Sequence, residues 1–268
     1  MTAMGYQAYR DAAEGAPLPA AVTCSELETR ASGFTVGRLE VWPAGAINGT
    51  RARELVLASG LDVVVLRCSA DDARLAADMQ CDELLVLQAD TLLYFEVEAS
   101  RAREPMDLRL LALRPEETAE VDRLVGETFS NYRNHWSATP VFDDIDVQRA
   151  YQDWALRSLT QPGLAVLRVQ TEGGQDVGVC LIDERPADLS DILLAGVLPA
   201  YRRQGLYQQM MRMVIDRAAS QGKTSVAIST QAANVRVMRA WCRVGFMPVI
   251  ALNTLHAVRR DRFPFADG

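Results

Sequence analysis

The stretch Val197-Leu-Pro-Ala-Tyr-Arg202-Arg203-Gln204-Gly205-Leu206-Tyr207 places two arginines and a lone glycine after a Val-x-Pro step. This basic turn joins an apolar run, Ile192 to Val197, to a segment carrying Met210, Met211, Val214 and Ala218 at helical spacing. Amides at a helix start have no partner inside the helix, and the helix dipole adds positive potential there. Such a turn is suited to an anion.

A second group surrounds His135, one of only two histidines. Its ordinary pKa lies near neutrality, which makes it a natural proton shuttle. Tyr132, Asn134 and Trp136 beside it suit a ligand that is partly apolar and partly hydroxylated, although the packing of one helix end on another would use the same residues. Asp90 stands alone in the apolar run Leu84 to Glu98; it is partnered, at a strand end, or a catalytic or ligand-binding carboxylate. His256 alternates with apolar neighbours, so it reads as a sheet-face histidine that could also line a ligand cleft. Asp183 and Asp191 read as solvated turn residues.

Periodicity and turn signals define the strands and helices around these groups. Residues 1–20 read as a flexible, Ala-rich leader. An N-terminal α/β unit over 21–104 has strands near Val36 and at Leu61–Leu66, a helix from Arg51 to Ser59, another starting at Ser69, and the long run to Glu98. The charged segment Ser100 to Pro105 reads as a linker. From 105 to 268 the predicted order is β-α-α-β-β-β-α-β-α-β, a mixed α/β sheet flanked by helices.

Bulk properties limit the function classes. A net charge of −7 argues against general nucleic-acid binding. No apolar run is long enough to span a membrane, and the N-terminus lacks the charged-then-apolar pattern of a secretory signal, so a cytoplasmic protein is expected. Five widely spaced cysteines without a CxxC pair read as reduced thiols, with neither a metal site nor a disulfide framework. An edge strand leaves room for a homodimer.

The turn from Val197 to Tyr207 resembles the V-x-P-x-x-[R/Q]-x-x-G-x-[G/A] signature of the Gcn5-related N-acetyltransferases (GNAT), with Tyr207 at the final Gly/Ala position. Asn234-Val-Arg-Val-Met-Arg-Ala-Trp241-Cys-Arg-Val-Gly245-Phe246 is similar to that family's N-x-x-A-x-x-x-Y-x-x-x-G-F stretch, with Trp241 at the Tyr position. From Gly33 to Val258 the chain resembles the branch of TDP-fucosamine acetyltransferases, in which a smaller α/β unit, like a partial GNAT unit, precedes the acetyltransferase domain.

The resemblance implies that acetyl-coenzyme A is the donor and that the anion at the turn is its diphosphate. Arg202, Arg203, Gln204, Gly205, Leu206 and Tyr207 would hold it, with Gly205 letting the backbone approach. Leu194, Ala195 and Val197 would grip the pantetheine arm, Asn234 would hold it, and Trp241 would pack on it. His135 and Asp90 are the catalytic candidates; Tyr132, Asn134, Trp136 and His256 would meet the acceptor, the amine of a nucleotide-linked amino sugar. The rivals are a GNAT acting on another small-molecule or protein amine, and an acyl-CoA sensor that has lost its catalytic acid. Trp241 cannot itself serve as that acid.

Overall fold

The computed structural model describes residues 5–262 apart from 17, 19, 101–106 and 131. Two compact units are formed, one from Met1–Leu93, Arg133–Asp146 and Ile250–Gly268, the other from Tyr94–Tyr132 and Val147–Val249. They interleave along the chain, unlike the single boundary expected near residue 105. Most of the expected linker lies outside the described residues.

The first unit opens with α1, Tyr6–Ala13, where a flexible leader was expected. Its Tyr6, Tyr9 and Ala12, three residues apart, are buried; the Tyr9 hydroxyl donates to Glu40 and its ring meets Trp42 edge-on. Then come β1, Thr23–Cys24, and α2, Glu26–Ser32, a short charged helix with no apolar stripe to announce it. Strand β2, Val36–Val41, pairs in parallel with β3, Val63–Ser69. Helix α3, Gly49–Ala58, is capped by Asn48, whose side chain accepts from the Arg51 amide. Ser69 ends β3 instead of starting a helix, because its hydroxyl accepts from the Asp71 amide in a tight turn; α4 begins only at Leu75–Met79.

The chain leaves this unit along β4, Leu84–Glu98, and returns near its end along the last strand. That strand pairs antiparallel with β3 from Leu252↔Ser69 to Val258↔Val63. One face of the sheet packs on α3 and α4 through Leu39, Leu66, Val56, Met79 and Leu255.

The second unit contains β5 (Leu108–Ala112), α5 (Thr118–Phe129), α6 (Val147–Ser158), β6 (Leu164–Thr171), β7 (Asp176–Asp183) and β8 (Leu189–Val197). It continues with α7 (Leu206–Ser220), β9 (Ser225–Gln231), α8 (Val235–Val244) and β10 (Met247–Arg259), the strand that returns to the first unit. The element order is the predicted one. Strands β5 to β8 form an antiparallel meander and β9 lies parallel to β8. Helices α5 and α6 cover one face through Val121, Leu124, Val125 and Ala155 on Val166, Val179, Leu181 and Leu194. Asp183 and Asp191 are opposite each other in β7 and β8 and are buried, so the expectation of solvated turn residues is corrected. Asp183 takes both the backbone amide and the guanidinium of Arg185.

No helix of the described residues is long and apolar enough to cross a membrane.

Candidate active site

The site in the second unit starts with a defect in a strand. The register between β7 and β8 shifts from Leu181↔Leu194 to Ile182↔Ile192, leaving Leu193 as an extra residue. Such a bulge bends the strand that carries it. At the same point the ladder between β8 and β9 stops, at Ile192↔Ile228, although β8 continues to Val197 and β9 to Gln231. Beyond the bulge, β8 has lost its β9 neighbour.

Alternation decides which groups face that open edge. The Leu198 amide donates to Val177 O on the β7 side, so Gly196 and Leu194 point their backbone groups the same way. Ala195 and Val197 therefore point theirs away from β7, and Val197 O accepts from Arg202 Nε at 3.3 Å. Gly196 lets α5 come close behind the strand: a Cβ there would lie 2.2 Å from Thr128 Cγ2.

The turn that follows contains two left-handed residues. Gly205 has φ 78° and caps α7 with no side-chain hydrogen bond, leaving the first amides of the helix to an outside acceptor. Arg203 has φ 68° and is the one non-glycine residue with positive φ among those described. For such a residue this conformation is strained, and strain of this kind gathers at ligand sites. Arg203 is exposed; Arg202 is anchored, its Nη2 donating to Thr128 O at 3.0 Å. Gln204 Nε2 reaches back to Ala200 O. This donor set, an open helix start with an exposed guanidinium beside it, fits a diphosphate.

Two unusual residues of the sequence meet next to this turn. The Trp241 indole N–H donates to the Tyr207 hydroxyl at 3.0 Å, with Trp241 only 1% exposed and Phe95 edge-on to it at 5.3 Å. Burial raises the Tyr207 phenol well above its ordinary value, the indole N–H pulls the other way, and Cys180 and Tyr132 are near enough to raise it further. The Tyr132 hydroxyl donates to Gln231 Oε1 at 2.7 Å. Asn234 precedes α8 and donates its amide to Thr230 Oγ1.

The other sequence candidates lie in the first unit, and most are turned inward. Asn134 Oδ1 accepts from the Trp136 amide, and the buried Trp136 indole donates to Glu28 Oε1 at 2.9 Å. His135 Nδ1 is 3.1 Å from His256 Nε2, and His256 Nδ1 is 2.6 Å from Thr139 Oγ1. His135 Nε2 lies 3.7 Å from Glu28 Oε1. A carboxylate favours a proton on the nitrogen that faces it, which sets the rest: His135 Nδ1 accepts from His256, and His256 Nδ1 accepts from Thr139.

Glu28 is fully buried. Burial pushes its pKa up, but Arg38, gripping both carboxylate oxygens, and hydrogen bonds from Ser25 and Trp136 hold it below the usual range. Burial pushes His256 down to about 4, with Arg38 adding to the fall and Glu28 opposing it. Burial, His256 and the arginines Arg38 and Arg67 lower His135 as well. Asp90 sits half-buried in β4 with its pKa raised by burial against the pull of Thr254 and Arg67. Glu28, Arg38 and Thr139 escaped the sequence reading because they come from separate elements with no motif between them.

Residues 128–246 match the Acetyltransferase (GNAT) family. A GCN5-related N-acetyltransferase from Sphaerobacter thermophilus is similar in fold, at 15% identity and TM-score 0.59 over 94% of this chain and 85% of that one. So is one from Kribbella flavida, at 15% identity and TM-score 0.53 over 99% of each chain. A tandem GNAT protein from the clavulanic acid biosynthesis pathway aligns at 13% identity and TM-score 0.51, over 84% of this chain and 75% of that one. No curated protein matches the sequence. At these identities the structural likeness establishes the fold.

Proposed function

We propose that this chain is an acetyltransferase of the GNAT superfamily that moves an acetyl group from acetyl-coenzyme A directly onto the amine of a nucleotide-linked amino sugar of the 4-amino-4,6-dideoxyhexose type; the matched segment and the shared fold support this reading. The observation that carries the donor half is the bulged, unpartnered end of β8 leading into a turn with left-handed Arg203 and Gly205. When bound, the donor supplies an activated acyl carbon and a thiol leaving group.

The chain's own contribution is binding and orientation. The open amides at the start of α7, with the Arg203 guanidinium, hold the diphosphate. The outward backbone groups of Ala195 and Val197 continue a strand-like ladder along the amide-bearing arm. An amide of that edge would polarise the acyl carbonyl, the preorganised kind of stabilisation that contributes most to acyl transfer. No covalent enzyme intermediate is needed, because a neutral amine attacks a thioester directly.

The acceptor half rests on the resemblance of Gly33 to Val258 to the nucleotide-sugar branch and on Arg133, whose exposed guanidinium suits an anionic acceptor better than a polyamine. The test is thiol release from acetyl-coenzyme A by the purified chain, with TDP-linked 4-amino-4,6-dideoxyhexoses supplied against spermidine. Sugar-dependent release with an acetylated product by mass is expected. Release with spermidine and none with the sugars would leave the donor site standing and overturn the acceptor.

A further inference from the structure

We infer that Tyr207 is a catalytic residue of this acetyltransferase, holding the departing sulfur by a hydrogen bond from its phenolic O–H. The inference rests on the acyl-donor site proposed above and deepens it.

The geometry of one hydrogen bond decides the direction of another. An indole N–H can only donate, so at 3.0 Å the Tyr207 oxygen is the acceptor from Trp241. The phenol proton must then point away from Trp241. With the indole fixed at 1% exposure, that direction is set by packing rather than left to a free rotor.

The position of the hydroxyl follows from its neighbours. Tyr207 is the second residue of α7 and feels the thiol of Cys180 on β7. Cys180 is opposite Ala195, whose backbone faces the open edge of β8. The hydroxyl thus belongs to the residue that follows the turn by two positions and lies near Cys180, the β7 residue opposite Ala195. Tyr132, the other hydroxyl near it, already gives its proton to Gln231. Of these two hydroxyls, Tyr207 is the one whose proton is not given to Gln231 or Trp241.

In the step itself the carbon–sulfur bond breaks as the carbon–nitrogen bond forms. The electron pair of the broken bond stays on sulfur and accepts the Tyr207 hydrogen bond. The phenol keeps its proton, and the proton shed by the amine passes to water. Burial, which keeps the phenol protonated, makes Tyr207 a dependable donor and an unsuitable base.

The experiment compares coenzyme A with desulfo-coenzyme A by calorimetry from about pH 7 to pH 10, the range in which a thiol ionises. In the wild type, affinity for coenzyme A relative to the desulfo analogue should rise by roughly tenfold as the thiol ionises, equivalent to about one unit of pKa. Tyr207→Phe, which keeps the ring, should lose that rise while binding the desulfo analogue as before, and its kcat should fall by about 100-fold with little change in KM for the donor. The same pH dependence in Tyr207→Phe as in the wild type overturns the role of Tyr207 alone. Its loss in Tyr132→Phe but not in Tyr207→Phe would move the donor to Tyr132 and overturn it equally. A wild type that binds neither ligand overturns the donor site and this inference together.

Discussion

Trp241 and Tyr207, 34 residues apart, both depart from the sequence pattern that their segments resemble, and they are hydrogen-bonded to each other at 3.0 Å. Each departure alone looks like damage to a motif. Together they are one arrangement, in which a large indole takes the space beside α7 and orients a hydroxyl that a glycine or alanine could not provide. Trp241→Phe should cost about 1 kcal/mol for the lost hydrogen bond, whereas Trp241→Ala should cost roughly 3–5 kcal/mol for the emptied core. Urea unfolding of both variants checks the pair; a Trp241→Phe variant as stable as the wild type would mean that the indole N–H contributes nothing.

Gly205→Val puts a β-branched residue at φ 78°, where even an unbranched side chain costs about 1–2 kcal/mol. No heavy atom lies within 4 Å of the added Cβ, so the damage to the fold is confined to backbone strain. The variant should stay folded with a lower Tm and bind coenzyme A at least tenfold more weakly. Unchanged coenzyme affinity by calorimetry would remove the turn from the site.

Arg203 offers the opposite experiment, because its φ of 68° is strained for arginine and easy for glycine. Arg203→Gly should raise stability by up to about 1 kcal/mol, relief of strain set against added chain entropy, while coenzyme affinity falls. Arg203→Ala should lose the affinity without gaining the stability. Tm and Kd measured on both separate backbone from charge.

The buried histidines make the fold sensitive to acid. An unfolded histidine titrates near 6.5, whereas folded His256 does so at about 4. Between those values the unfolded chain binds the extra proton and the folded chain does not, so stability is lost as pH falls from about 6.5 to 4 and is unaffected above. The contribution of His256 alone is about 3 kcal/mol. His256→Asn should flatten the stability–pH curve over that window, as followed by thermal melts at several pH values.

Glu28 and Arg38 form a buried bidentate pair, and neutralising one partner strands the other. Glu28→Gln should therefore cost about 3 kcal/mol or more. Adding Arg38→Met to Glu28→Leu should recover much of it. Chemical denaturation of the single and double variants gives the comparison; a single variant as stable as the wild type would show that the pair is not needed.

The second unit was legible in the sequence because each of its elements carries its own signal. Val121, Leu124 and Val125 mark α5, Gly205 and Gly245 punctuate α7 and α8, and the turn motif fixes what lies between β8 and α7. The first unit was less legible. Helix α2 has no apolar face, and what holds it is Glu28 reaching Arg38 on β2 and Trp136, relations invisible to local periodicity. The stripe of Tyr6, Tyr9 and Ala12 was present but was masked by an alanine-rich composition. At the site, the types of His135 and Trp136 suggest catalysis and ligand contact, whereas their inward direction depends on His256 and Glu28, more than 100 residues away along the chain. The bulge at Leu193 leaves no mark in the residue types either.

The pairing of β3 with β10 has a consequence for synthesis. Cys68 and Asn253, in contact across these strands, are 185 residues apart. At about 5–20 residues per second the ribosome needs roughly 10–40 s to deliver one after the other. Throughout that interval an edge rich in valine, Val63 to Val65, has no partner on that side. The β3 edge of the first unit therefore closes only when β10 has been made, long after β3 itself.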